Sequence, residues 1–213
     1  MAITFHITTR VERTTSFVLE IGSNLVQYRH IMALYFIGIF LALFVCIVFL
    51  LYMLSEMFFS LRTDAPFLHT PKRIFEKLIK ILELKEDSIL YDLGCGDAQI
   101  LRRISLDYPH IKMVGVEMSF LPYLLARYKT RKDENITIRM ENIFDSNIED
   151  ATHIFTYLFP KGMEKLMPVI EKKCKSGTVV VSCDFEDKNR TATEIVDLDT
   201  LAKRGKRIIV YKI

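Results

Sequence analysis

The chain has 213 residues, half of them apolar and 26% charged, with 29 basic against 26 acidic side chains and no Trp. Eight Gly and six Pro in so apolar a chain exclude a disordered, collagenous or coiled-coil protein. A formal net charge of +3 is too small to argue by itself for a nucleic-acid partner, and four Cys without CxxC spacing suggest neither a zinc site nor a disulfide framework.

Residues 1–30 alternate briefly (Ile3, Phe5, Ile7), then run into a Ser/Thr/Arg mixture and read as an N-terminal tail without an assigned role. Residues 31–54 contain no charge, and roughly 20 such residues suffice to cross the hydrocarbon of a bilayer. Sixteen of them are Leu, Ile, Phe or Val, while Tyr28, Tyr35 and Tyr52 sit near the ends, where headgroups suit amphipathic rings. A cleaved signal would have a shorter apolar core nearer the start, so the segment is read as a retained transmembrane helix with the lipid bilayer as partner. Arg10, Arg13 and Arg29 before it nearly balance Arg62, Lys72 and Arg73 after it, which leaves orientation open on charge alone. Residues 55–70 read as a linker.

Residues 71–213 form one α/β domain by their rhythm of apolar strands and amphipathic helices. Thr70 before Pro71 predicts a helix start, and Ile74, Phe75, Leu78, Ile79 and Leu82 share its apolar face. Strands are predicted over 88–93, 112–117, 136–140, 153–158 and 178–183, with helices over 98–107, 119–131 and 161–173 between them. The stretches 194–198 and 207–212, joined through a polar segment with Gly205, read as a C-terminal hairpin.

Asp92, Glu117 and Asn142 lie at successive intervals of 25 residues, each expected to close a strand. Three polar side chains would then emerge at the carboxyl edge of the sheet, where open α/β sheets bind ligands. Gly94 and Gly96 at the first strand-to-helix turn let the backbone bend sharply and approach a ligand closely. A dinucleotide site also places an acid about 20 residues beyond its glycines, but it has a third glycine, which is absent here, and does not require Asp92. The five His are scattered, so no metal site is expected, and no G-x-S-x-G turn supports hydrolase chemistry.

The run Asp92-Leu93-Gly94-Cys95-Gly96-Asp97 resembles the cofactor signature of class I S-adenosylmethionine-dependent methyltransferases. The resemblance implies a Rossmann-like seven-stranded sheet with a C-terminal antiparallel hairpin. It also implies S-adenosylmethionine as cofactor, with the glycine turn at its methionine part, Glu117 at the ribose hydroxyls and Asn142 at the adenine amine. Cys95, Asp97, Met118 and Ile143 join that set as neighbours, and Thr70 as a cap that can also reach the cofactor. Together with the apolar span, residues 65–71 (Ala-Pro-Phe-Leu-His-Thr-Pro), Thr156-Tyr157-Leu158-Phe159-Pro160 and Val181-Ser182-Cys183-Asp184-Phe185 are similar to a narrower, membrane-anchored group. That group includes the mitochondrial lysine methyltransferases of ATP synthase subunit c and of the adenine nucleotide translocase. Ala98-Gln99, Glu141-Asn142 and Cys183 depart from its Gly-Arg, Gly-Asp and His; an alanine at 98 fits if that residue is helical.

What the resemblance implies is methylation of lysine on a membrane protein, with the domain on the cytoplasmic or matrix side, where the cofactor is made. Tyr157 would orient the amine and Asp184 attract the incoming ammonium. Thr-Tyr-Leu-Phe-Pro differs from the signature of base amino-methylating enzymes, which speaks against a nucleic-acid substrate. A silent scaffold, or an enzyme of small molecules or lipid headgroups, are the alternatives.

Overall fold

The computed structural model describes residues 28–30, 32–55, 74–198 and 205–213, and the chain divides into two compact units, Met1–Met57 and Phe58–Ile213. The expected tail, the linker beyond Ser55 and the Thr70-Pro71 cap lie outside the described residues. In the first unit, helix α1 (Tyr28–Ser55) is 28 residues long, about 42 Å at 1.5 Å per residue. Its most apolar window has mean hydropathy 3.0 and none of it is buried, so α1 is long and apolar enough to cross a membrane.

The second unit runs α2 (Phe75–Leu82), β1 (Ile89–Leu93), α3 (Gln99–Asp107), β2 (Lys112–Val116), α4 (Phe120–Lys129), β3 (Ile136–Arg139), β4 (His153–Thr156), α5 (Pro160–Lys173), β5 (Val179–Cys183), β6 (Glu194–Asp197) and β7 (Arg207–Lys212). The seven strands form one sheet in the order β3-β2-β1-β4-β5-β7-β6. The first five pair in parallel, while β7 runs antiparallel to both β5 and β6, so the expected hairpin is inserted with its second strand inward.

The parallel strands β1, β2, β4 and β5 are buried on both faces, as a parallel sheet covered by helices must be, while the edge strands β3 and β6 are more exposed. Leu90, Met113, Phe155 and Val181 meet Leu78, Leu82, Leu101 and Ile104 on one face. Tyr91, Leu93, Val114 and Val180 meet Met163, Leu166, Met167 and Ile170 on the other. Each fully buried Leu or Ile contributes about 1.5–3 kcal/mol, which holds the helices to the sheet. The same period of two puts Asp92 on the Leu90 face, within an otherwise apolar layer.

Strand order reverses between β1 and β4, where the connections leave in opposite directions and a crevice opens at the carboxyl edge. At that edge β2, β3 and β4 end one or two residues earlier than predicted, while β1 and β5 end where predicted. Glu117 and Tyr157 stand just past β2 and β4, and Asn142 lies three residues beyond β3, in a turn and not at a strand end.

Candidate active site

Asp92 lies in register between Gly115 of β2 and Phe155 of β4. It is 3% exposed, and its carboxylate accepts no hydrogen bond from any described residue. Burial, then the negative charges of Glu117 and Asp97, push its pKa up to about 8. A carboxylate at the switch point with no donor among the described residues suits a ligand that is cationic or donates hydrogen bonds.

The turn after β1 is held by backbone bonds: the amides of Gly94 and Cys95 donate to the Val116 carbonyl at 2.9 and 3.0 Å. Gly94 and Gly96 have φ of 87° and 57°, the left-handed region that a side chain disfavours. Ala98 has φ of 59° and caps α3 from that same region, so it is not the first helical residue that the sequence suggested. Left-handed backbone costs an alanine about 1–2 kcal/mol, which accounts for glycine being the usual occupant in the group it resembles.

Glu117, also buried, accepts the Gly96 amide on Oε2 at 3.0 Å and the Ser119 amide on Oε1 at 2.8 Å. The second acid therefore clasps the glycine turn while each oxygen keeps a further lone pair. Asp97 pairs with Lys129 of α4 at 2.5 Å, tying the turn to that helix. The Cys95 thiol is held neutral, its pKa raised by burial and then by Asp92 and Glu117, which excludes a thiolate nucleophile. Met118 and Ile143 are half-buried beyond β2 and β3. Asn142 Oδ1 accepts the Phe144 amide at 3.2 Å, an Asx turn that leaves it one lone pair for another donor.

Two residues that the sequence did not single out shape this corner. A Cβ on Gly115 would stand 2.7 Å from Cys95 Sγ and 2.8 Å from Ile138 Cδ1, so only glycine lets the turn settle on β2. Glycine within a strand is the signal that would have found it. Lys129 had no such signal, being one of several lysines on helix ends.

Across the switch point, the Tyr157 hydroxyl donates to Asp184 Oδ2 at 2.5 Å. Asp184 follows β5 with φ of 63°, and its carboxylate also accepts the amides of Gly205 at 2.6 Å, Lys206 at 2.5 Å and Arg207 at 3.3 Å. Burial opposes its ionisation, but the Tyr157 hydroxyl and these amides outweigh it and hold the pKa below the usual carboxylate range. Burial, then the bond to Asp184, pushes the Tyr157 phenol well up. With four bonds received, Asp184 has little capacity left for an ammonium, and Tyr157 can only accept from a further partner. Phe185 lies between Tyr157 and Phe159, ring centroids 6.0 and 4.9 Å away, so the phenol is set in an aromatic surround.

This arrangement has close parallels. The ANTKMT methyltransferase domain matches residues 92–194, from the lone acid of β1 to the start of β6. A protein-lysine N-methyltransferase of Saccharolobus islandicus is 31% identical over 137 residues, covering 63% of this chain and 85% of that protein. The chain belongs to this family of S-adenosylmethionine-dependent methyltransferases. Among solved structures, an RNA methyltransferase from Salinibacter ruber in complex with S-adenosyl-L-homocysteine is similar with TM-score 0.63 and 28% identity, over 68% of this chain and 94% of that one. A precorrin-6y C5,15-methyltransferase from Geobacter metallireducens shares the fold at TM-score 0.52 and 16% identity, over 70% and 91% of the two chains.

The methyl donor of this methyltransferase is S-adenosylmethionine, which supplies an electrophilic methyl group on a sulfonium sulfur. The site fits such a group: a cation suits Asp92, which has no donor among the described residues, hydroxyl donors suit the spare lone pairs of Glu117, and Gly94 has no neighbour closer than 3.8 Å where a Cβ would stand. Among the described residues no cluster of His, Cys, Asp and Glu could hold a metal ion.

Proposed function

We propose that this methyltransferase modifies the side-chain amine of lysine on a membrane protein and is tethered to the bilayer by α1. The observation that carries the substrate class is the Tyr157 hydroxyl bond to Asp184. Because the phenol proton is committed, the oxygen presents lone pairs alone, which suits the N–H of an amine and gives nothing to an acceptor substrate. Lysine must lose a proton before attack, since its ordinary pKa is about 10.4, and the aromatic surround of Phe159 and Phe185 favours the neutral form by desolvation. In-line positioning then supplies most of the rate.

In this reading Asp92, Gly94, Gly96 and Glu117 bind the cofactor, with Cys95, Asp97, Met118, Asn142 and Ile143 lining the same edge. Tyr157 touches the amine. Asp184 is a positioning residue that fixes the phenol, and Thr70 keeps the role of a cap and possible cofactor contact assigned from sequence. The 31% identity to a protein-lysine N-methyltransferase supports a protein substrate. The anchor is supported by α1, whose Phe40 and Leu34 are 71% and 68% exposed and would aggregate in water unless lipid or protein covered them. Tethering raises the effective concentration of enzyme and membrane-bound substrate without new contacts, and places the domain where the cofactor is made.

A second reading, methylation of RNA, is favoured by the 28% identity to the Salinibacter ruber enzyme. Full-length protein in lipid vesicles, incubated with methyl-labelled cofactor, source membranes and source RNA, separates the two. The expected result is label in a membrane-protein band, recovered as methylated lysine after hydrolysis. Label confined to RNA or to lipid extract would overturn the lysine assignment.

A further inference from the structure

Helix α4 has an outward face that its position in the sheet does not explain. Only Ala126 is fully buried on this ten-residue helix, while Phe120, Leu121, Leu124, Leu125 and Tyr128 are between 43% and 64% exposed. Their spacing, 120-124-128 beside 121-125, is two adjacent rows of one helix face. A core helix turns such a stripe inward; here it points away from β3, the edge strand on which α4 packs.

The charges around the stripe have one sign. The helix contains no acid, and Arg127, Arg131 and Lys132 are exposed beside it. The guanidinium of Arg131 stacks 4.1 Å from the Tyr128 ring, and that of Arg127 lies 5.9 Å from the Tyr123 ring. Stacking holds these charges along the margin of the apolar face. The acids Asp133 and Glu134 come only after the turn. An apolar stripe bordered by Arg and Lys is the pattern of a helix lying in a membrane interface, its rings and leucines among acyl chains and its cations at anionic headgroups.

We propose that α4 docks on an anionic lipid surface through Phe120, Leu121, Leu124, Leu125 and Tyr128. This inference rests on the reading of α1 as a membrane anchor. Residues 56–73 lie in the sequence between α1 and α2, and a chain of that length reaches at most about 60 Å, so an inserted α1 would keep the α/β sheet within reach of the bilayer. The functional consequence follows from connectivity. Helix α4 begins three residues after Glu117, at the carboxyl edge of the sheet, so seating it on lipid brings that edge to the bilayer surface. A lysine carried near the headgroups of a membrane protein is then presented to Tyr157 without leaving the membrane.

The chain has no Trp, which makes a single introduced one a clean reporter. Full-length Leu124→Trp protein is reconstituted in vesicles of equimolar phosphatidylcholine and phosphatidylglycerol, with and without bromine on the acyl chains. Ile195→Trp, on the opposite edge strand β6 and equally exposed, is the control, and Phe120→Trp is a second reporter on the same stripe. The expected result is a blue-shifted emission that brominated lipid quenches at positions 124 and 120 but not at 195, with quenching reduced by Arg127→Glu with Arg131→Glu. Protein that floats with vesicles yet shows no quenching at 124 or 120 overturns this inference and leaves the anchor standing. Protein that does not float overturns both. A blue shift that grows with protein concentration in the absence of lipid assigns the face to a second copy of the chain and overturns the lipid assignment.

Discussion

Two carboxylates on one sheet edge, buried Asp92 and half-buried Asp184, stand in opposite electrostatic states. Asp92 has no hydrogen-bond donor among the described residues and a pKa pushed up to about 8, whereas Asp184 receives four bonds and is held below the usual carboxylate range. A carboxylate with no donor among the described residues keeps its lone pairs for a ligand; one that receives four bonds orients its neighbour. On that contrast rests the proposal that Asp92 and Glu117 meet the cofactor while Asp184 serves the architecture.

The sharpest way to break that comparison is at Glu117, whose loss removes an acceptor for the cofactor and frees the amides of Gly96 and Ser119. Glu117→Ala is expected to weaken cofactor binding by about 10- to 100-fold, from one lost bond to a charged group of about 1.5–3 kcal/mol. Near-normal affinity by calorimetry would remove it from the site. Asp184→Asn should leave cofactor affinity unchanged but destabilise the fold by about 1–3 kcal/mol, because an amide donor now replaces an oxygen that accepts two bonds. It should also lower kcat, and Tyr157→Phe should lower kcat with a smaller loss of stability, from the single bond to Asp184. An Asp184→Asn protein with normal melting and cofactor affinity but lost activity would instead make Asp184 a direct substrate contact.

Smaller effects sharpen the picture. Gly115→Ala is expected to cost about 1–3 kcal/mol by overpacking Cys95 and Ile138, with a parallel loss of cofactor affinity as the glycine turn shifts. For Asp92 the sign is worked from its raised pKa: the folded protein holds this proton above the ordinary carboxylate value of about 3.9, so its contribution to stability is lost as pH rises towards about 8. Melting of cofactor-free Asp92→Asn protein should therefore match wild type near pH 4 and exceed it increasingly up to pH 8. A constant difference across that window would show that Asp92 is not the group titrating.

Much of this was legible before any coordinates. The glycine turn, the acid one strand over and the seven-strand rhythm are local patterns, and local patterns survive in sequence. What could not be read depends on neighbours brought from afar. That Asp92 meets no side-chain donor from its strand neighbours follows from Gly115 and Phe155 flanking it, neither of which can donate a side-chain bond. Tyr157 and Asp184 were both read as facing the substrate; the bond between them, from the ends of the paired strands β4 and β5, and the loop amides that absorb the carboxylate depend on contacts that sequence does not show. The handedness of Ala98 was hidden because alanine is a strong helix former. The outward stripe of α4 reads in sequence like any core-facing helix, since periodicity reports a shared face and not which way it points.

The central claim is that Asp92, which has no donor among the described residues, meets a cationic nucleoside cofactor. Its most direct test is calorimetric titration of the full-length protein and its Asp92→Asn variant with S-adenosylmethionine at pH 7, in buffers of differing ionisation enthalpy. The account predicts that wild-type protein gives up a proton beyond that exchanged by the variant, and that the variant binds about 10- to 100-fold more weakly. Equal affinities with identical proton exchange would contradict it.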